Sequence, residues 1–153
     1  MKLELKHLAP YLPYGLKYMK YSDHDSPIRH DIMQGISTNG VYACGDITPL
    51  SFKKCKPILR PLSDLTDPLI NLIFKDTGEN GIIISRYISD SLKDLTITIT
   101  YKIMGDVFTD FVINRNDIRY TDYWIVEKLF ENHFDVFGLI DKGLAIDKNT
   151  IKK

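Results

Sequence analysis

The densest group of potential metal ligands in the chain is Asp23, His24, Asp25, His30 and Asp31. Imidazole and carboxylate groups suit Zn, Mn or Fe, and a metal held there would support hydrolysis. The spacing matches no recognised ligand motif, so a solvated turn is the plainer reading. The second group is basic. Lys53, Lys54, Lys56 and Arg60 place four positive charges in eight residues beside Phe52. Such a group can meet phosphates or line a pocket for a small anion, and it can also keep an edge strand from pairing with other chains. The third group is aromatic. Tyr11, Tyr14, Tyr18 and Tyr21 crowd one segment that Pro10 and Pro13 stiffen, and Trp124 is the only tryptophan. Tyrosine and tryptophan give large contact area at small rotamer cost. These five are therefore the expected contacts for a protein partner, against the alternative that they pack on the chain's own sheet.

The remaining signals are weaker. His133 falls in an apolar stripe, where a lone histidine is usually a hydrogen-bonded core residue. A general base also needs a nucleophile or water within reach. Asp76-Thr77-Gly78 copies the aspartic-protease triplet, but Lys75 precedes it, Glu79 follows it and no second copy exists to share a proton. Cys44 and Cys55 are too few for a four-ligand zinc site and read as plain thiols. There is no phosphate-binding loop, dinucleotide glycine motif, paired histidine on a helix or serine elbow. This lowers the expectation of an enzyme without excluding one. No catalytic residue, metal or cofactor is assigned from the sequence.

These residues must be positioned by a mainly antiparallel sheet and two main helices in a single α+β domain over 1–153. Residues 3–8 can make one helical turn, and the two prolines exclude regular helix over 11–15. Residues 16–21 read as a strand, 22–27 as a polar turn, and 28–36 as a further strand. Asn39-Gly40 is a hairpin signal. Residues 49–61 hold three prolines and read as an edge strand or extended connector. A helix follows, capped by Ser63 or Thr66, with Leu65, Leu69, Leu72 and Ile73 on its apolar face. Strands are expected over 82–88, 95–103 and 107–113. A three-residue loop, Met104 to Asp106, would pair Ile103 with Val107, Tyr101 with Thr109 and Ile99 with Phe111. That register gathers Ile97, Ile99, Tyr101, Ile103 and Phe111 on one buried face. A last helix over 122–137, capped by Thr121, would bury Val126, Leu129, Phe130, His133, Phe134 and Phe137. Its polar side would carry Trp124, Glu127, Lys128, Glu131 and Asp135.

Composition bounds the partners. The chain has 153 residues with 20 Lys+Arg and 20 Asp+Glu, 44% hydrophobic residues and 26% charged residues. These are ordinary values for a globular domain, and neutrality argues against duplex nucleic acid. The first seven residues alternate in charge and carry no apolar run, so no signal peptide or membrane span is expected. The expected compartment is the cytosol.

Three stretches carry a resemblance: residues 7–17, from His7-Leu8-Ala9-Pro10-Tyr11 to Lys17; residues 59–66, Leu59-Arg60-Pro61-Leu62-Ser63-Asp64-Leu65-Thr66; and residues 133–146, with His133-Phe134-Asp135-Val136-Phe137-Gly138 and Lys142-Gly143-Leu144-Ala145-Ile146. The chain resembles a family of small proteins encoded in phages and prophages of Bacteroidetes. The resemblance implies a mobile-element origin and a bacterial host cytosol, and it brings no activity or site residue with it. Three functions follow in order of expectation. The first is a non-enzymatic accessory protein that binds a host or phage protein. The second is a counter-defence binder that sequesters a small anionic ligand, such as a signalling nucleotide, in a Lys/Arg- and aromatic-lined pocket or at a homo-oligomer interface. The third is a metal-dependent hydrolase built on His24 and His30.

Overall fold

The computed structural model describes residues 2–73, 82–88, 95–103, 106–112 and 123–151. Within 82–112, and at positions 67, 70 and 71, it describes the backbone alone. Helices and strands are mixed and antiparallel pairing predominates, the α+β content expected. Contacts divide the chain into two compact units, Met1–Pro61 with Phe130–Lys153, and Leu62–Leu129. Among the described residues no helix is long and apolar enough to cross a membrane.

The first unit opens with α1 (Leu5–Leu8), whose start is closed when the Glu4 N–H donates to Nδ1 of His7 at 3.1 Å. The chain continues into a 3-10 helix, Ala9–Tyr14, so the proline-bearing stretch takes the tighter winding used in short pieces. Pro10 sits in its first turn, where a missing N–H is tolerated, and Gly15 ends it at φ 64°. Next come β1 (Lys17–Tyr21) and β2 (Pro27–Ile32), which form an antiparallel hairpin. Its polar turn is closed by the Ser22 hydroxyl, which accepts from the N–H groups of His24 and Ser26. β3 (Gly35–Ser37), β4 (Gly40–Tyr42) and β5 (Leu50–Ser51) make a three-stranded sheet. After a 3-10 turn at Phe52–Lys54 comes β6 (Cys55–Leu59), which with β10 (Ile146–Asp147) completes a four-stranded sheet in the order β10-β6-β1-β2.

β6 corrects the expectation of an edge strand, since it lies between β1 and β10. Its proline is compatible with that place. β10 runs alongside Ile58 and Leu59 only, so Pro57 faces β1 across Tyr18 and lies beyond the end of the other ladder. The C-terminal segment docks on the end of this strand. The Arg60 N–H donates to the His133 carbonyl, and the Asp135 N–H donates to the Arg60 carbonyl, each at 2.8 Å. Together they form a parallel bridge between Arg60 and Phe134.

This bridge explains a second correction. The last helix, α3 (Tyr123–Glu131), stops six residues short of the expected end. His133 takes φ 58°, the left-handed region that breaks a helix. Phe134 and Phe137 continue the helical spacing but belong to the docked segment. Asp135 is buried rather than on the helix's polar side.

The second unit holds β7 (Ile82–Ile88), β8 (Leu95–Ile103) and β9 (Asp106–Val112), an antiparallel meander. The expected register is off by one. Ile103 pairs with Asp106, Tyr101 with Phe108, Ile99 with Asp110 and Ile97 with Val112. The apolar residues of β9 come as the doublets Val107-Phe108 and Phe111-Val112, so either phase satisfies one member of each doublet, and alternation cannot choose between them. The burial of Ile97, Ile99, Tyr101, Ile103 and Phe111 lies outside the described residues, as do Thr121 and the Asp76-Thr77-Gly78 triplet. α2 (Asp67–Ile73) begins just after Thr66 with Pro68 in its first turn. Leu65 is buried ahead of it, while Leu72, expected on the apolar face, is 69% exposed.

Candidate functional site

One open cavity in the first unit gathers residues of opposite character. Its volume is about 410 Å³, within the roughly 300–1,000 Å³ of small-molecule sites. Lys2, Lys53 and Lys56 supply its charge. Thr38 and Asn39, between β3 and β4, and Ser51 at the end of β5 supply hydrogen-bonding groups. Leu3, Phe52 and Leu144 supply apolar surface. Among the described residues the lining holds no carboxylate, and none of the three lysines is ion-paired. The Ser51 hydroxyl accepts from the Lys53 N–H at 3.3 Å, which fixes the turn that carries Phe52 and Lys53. Cys55 lies at the cavity wall but is buried, and burial pushes its thiol up to about 12. It is a thiol rather than a thiolate at neutral pH and does not serve as a nucleophile.

The basic cluster read from the sequence divides in two. Lys53 and Lys56 face the cavity. Lys54 is ion-paired with Asp23, and the Arg60 guanidinium lies over the Phe134 ring at 5.3 Å. Lys56 also approaches the Tyr21 ring, 5.8 Å from its centroid. The structure adds Lys2 to the site, which no local pattern marks.

The aromatic group divides as well. Tyr11 is fully buried and Tyr18 is 3% exposed, so both are core residues and not exposed contacts. Tyr18's phenol is pushed up to about 12 by burial and by Asp31. Tyr14, Tyr21 and Trp124 are half-buried. The two tyrosines lie in the first unit and Trp124 in the second. Of the metal-ligand group, His24 and His30 are exposed, Asp23 pairs with Lys54 and Asp31 pairs with Arg29 at 3.4 Å. Among the described residues no three His, Cys, Asp or Glu side chains stand together as a metal site would require. Cys44 is exposed and Cys55 buried, both as free thiols.

A set of buried polar groups holds the C-terminal segment that brings Leu144 to the cavity. Asp135 is 5% exposed, and its carboxylate accepts from the Leu139 N–H at 2.7 Å and the Ile140 N–H at 2.8 Å. Burial still holds its pKa above the ordinary carboxylate range. His133 Nε2 lies 2.8 Å from the Tyr14 carbonyl. A carbonyl only accepts, so Nε2 carries the proton. His7 accepts the Glu4 N–H on Nδ1 and sets its ring edge against Phe137 at 5.7 Å.

Burial lowers the pKa of both His7 and His133 below the ordinary 6.5. Below that value the unfolded chain binds protons that the native state resists, so stability is full above about pH 6.5 and falls as pH drops through the depressed values. Thermal melts between about pH 7.5 and 5 are expected to show a falling Tm, with a shallower fall in the His7→Gln/His133→Asn double variant. Equal slopes in the two proteins would exclude these histidines as the cause. Asp135 has the opposite sign. Its native pKa lies above 3.8, so in the window above that value the native state holds the extra proton and stability declines as pH rises.

Comparison of the chain with protein-family models, curated proteins and solved structures returns no match.

Proposed function

We propose that the chain is a non-enzymatic binder of a small anionic ligand that carries a flat or apolar part, the class to which nucleotides belong. The observation that carries this reading is the cavity with Lys2, Lys53 and Lys56 on its wall, no carboxylate in its described lining, and Phe52 beside the lysines. Three lysines that form no ion pair among the described residues raise the local concentration of anions. The neighbouring hydroxyls and amide can orient bound oxygens, and an aromatic ring supplies a stacking face. In a phage-encoded protein of the host cytosol, such binding would act by sequestering a signalling nucleotide. The protein-partner reading ranks second. Burial of Tyr11 and Tyr18 removes two of its five contacts, leaving Tyr14, Tyr21 and Trp124.

The test is calorimetric titration of the purified chain with a panel of linear and cyclic mono- and dinucleotides. At least one member is expected to bind, more weakly as salt rises. Lys53→Glu and Lys56→Glu are each expected to weaken that binding by about tenfold or more while leaving the circular-dichroism spectrum unchanged. Heat signals absent across the panel, or affinity untouched by both reversals, would remove the reading.

A further inference from the structure

β2 is the end strand of its sheet, and among the described residues nothing pairs with its outer edge. Which backbone groups that edge presents follows from the hydrogen bonds. The Met33 N–H donates to the Leu16 carbonyl at 2.8 Å, so odd-numbered positions of this stretch turn toward β1. Even-numbered positions alternate away from it. The Ile32 N–H is consistent with this, since it donates to Asp31 Oδ1 at 3.0 Å rather than into the ladder. The N–H and C=O groups of His30 and Ile32 therefore line the free edge, while Ile28 is the extra residue of a β-bulge opposite Lys20 and Tyr21, where the alternation is interrupted. Two large apolar side chains of the strand are exposed, Ile28 at 57% and Ile32 at 46%, beside Pro27, Arg29 and Asp31, residues of the kind that an edge strand ordinarily carries.

We infer that β2 is a homodimerisation strand, pairing antiparallel with β2 of a second copy about a two-fold axis through His30. The residues Ile28-Arg29-His30-Asp31-Ile32 are self-complementary about that centre. Antiparallel pairing sets Ile28 opposite Ile32 of the second copy, Arg29 opposite its Asp31, and His30 opposite its His30, and symmetry repeats each unlike pair. The backbone phase agrees with this register. His30 has outward N–H and C=O groups, so it forms a hydrogen-bonded pair with its symmetry mate at the centre, and the bulged Ile28 contributes its side chain opposite Ile32. Arg29 and Asp31 then fall at the non-hydrogen-bonded pairs, where side chains come closest. In the single chain Arg29 and Asp31 meet each other at 3.4 Å, with 63% and 29% of their side chains exposed. An exposed pair of that kind contributes little, so exchanging it for the intermolecular pair costs little. The interface is isologous, and it closes at two copies and leaves no further free edge on β2. A foreign strand would find the same backbone edge but would not be specified by this charge order.

Sedimentation velocity over about 1 to 500 µM tests the inference. The chain is expected to move as a dimer at the upper end of this range. Arg29→Asp places like charges opposite each other at both symmetric positions and is expected to raise the dissociation constant by about tenfold or more. The double variant Arg29→Asp/Asp31→Arg restores opposite charges and is expected to restore the dimer. Ile28→Lys is expected to give a monomer without touching either charge, which covers the case of a charge variant that fails to fold. A chain that stays monomeric throughout, a dimer indifferent to Arg29→Asp and Ile28→Lys, or a double variant that stays dissociated would each overturn it.

Discussion

Tyr11→Ala is expected to remove about 3–5 kcal/mol of stability, the cost of truncating a large aromatic in a packed core. Tyr11 is 0% exposed. Its ring meets the Phe130 ring edge-on at 4.8 Å and the Phe137 ring at 6.5 Å. Its hydroxyl donates to the Phe134 carbonyl at 2.6 Å and accepts from the Val136 N–H at 3.4 Å. The residue therefore joins the N-terminal 3-10 helix to the segment that follows α3, across 123 positions of sequence. Tyr11→Phe separates the ring from the hydroxyl. The Val136 N–H also donates to the Phe134 carbonyl at 2.9 Å, so neither group is orphaned and the loss is expected to be about 1 kcal/mol. Urea unfolding followed by circular dichroism reads both. A loss under about 1 kcal/mol for Tyr11→Ala would mean that this contact does not hold the segment.

What the sequence made legible were the elements whose signals are local. β1, β7 and β8 stand where β-branched content and alternation placed them. The hairpin at Asn39-Gly40 is also present, with Ser37 opposite Gly40. The end of α3 was not legible, because apolar residues continue at helical spacing to Phe137 while the bond that ends the helix comes from Arg60, more than seventy residues away in sequence. The interior place of β6 was hidden by its proline, which is accommodated only because β10 is so short.

The candidate site shows the same division. Lys53 and Lys56 were visible as a cluster, but Lys54 and Arg60 were indistinguishable from them until Asp23 and Phe134 appeared as their neighbours. Lys2, Thr38 and Leu144 come from three other stretches, and only the topology brings them to one wall. The tyrosines were ambiguous for a chemical reason. The amphipathic ring that suits an interface also suits a core with a hydrogen-bond acceptor in reach, and for Tyr11 the Phe134 carbonyl is that acceptor.

Gly40 links the fold to the cavity, and Gly40→Ala is expected to cost about 3 kcal/mol and to weaken ligand binding as well. The Asn-Gly pair suggested a residue chosen for left-handed backbone, yet neither Asn39 nor Gly40 takes a positive φ. Space, not conformation, requires the glycine. A Cβ at position 40 would fall on the Leu50 carbonyl oxygen, with the Leu50 carbonyl carbon at 2.6 Å and the Ser51 Cα at 3.1 Å. These are backbone atoms of β5 and cannot swing aside as a side chain would. β5 must therefore move off β4, and it carries Ser51 and leads directly into Phe52 and Lys53 of the cavity wall. Gly35→Ala in the same hairpin is the control. Its Cβ would meet Tyr42 side-chain atoms at 3.5 Å, an ordinary contact, and the change is expected to stay within about 1 kcal/mol. Melting both variants and titrating both with the nucleotide that the parent chain binds separates the effects. Equal stability in the two, or a Gly40→Ala protein that melts low but binds unchanged, would show that β5 does not govern the cavity wall.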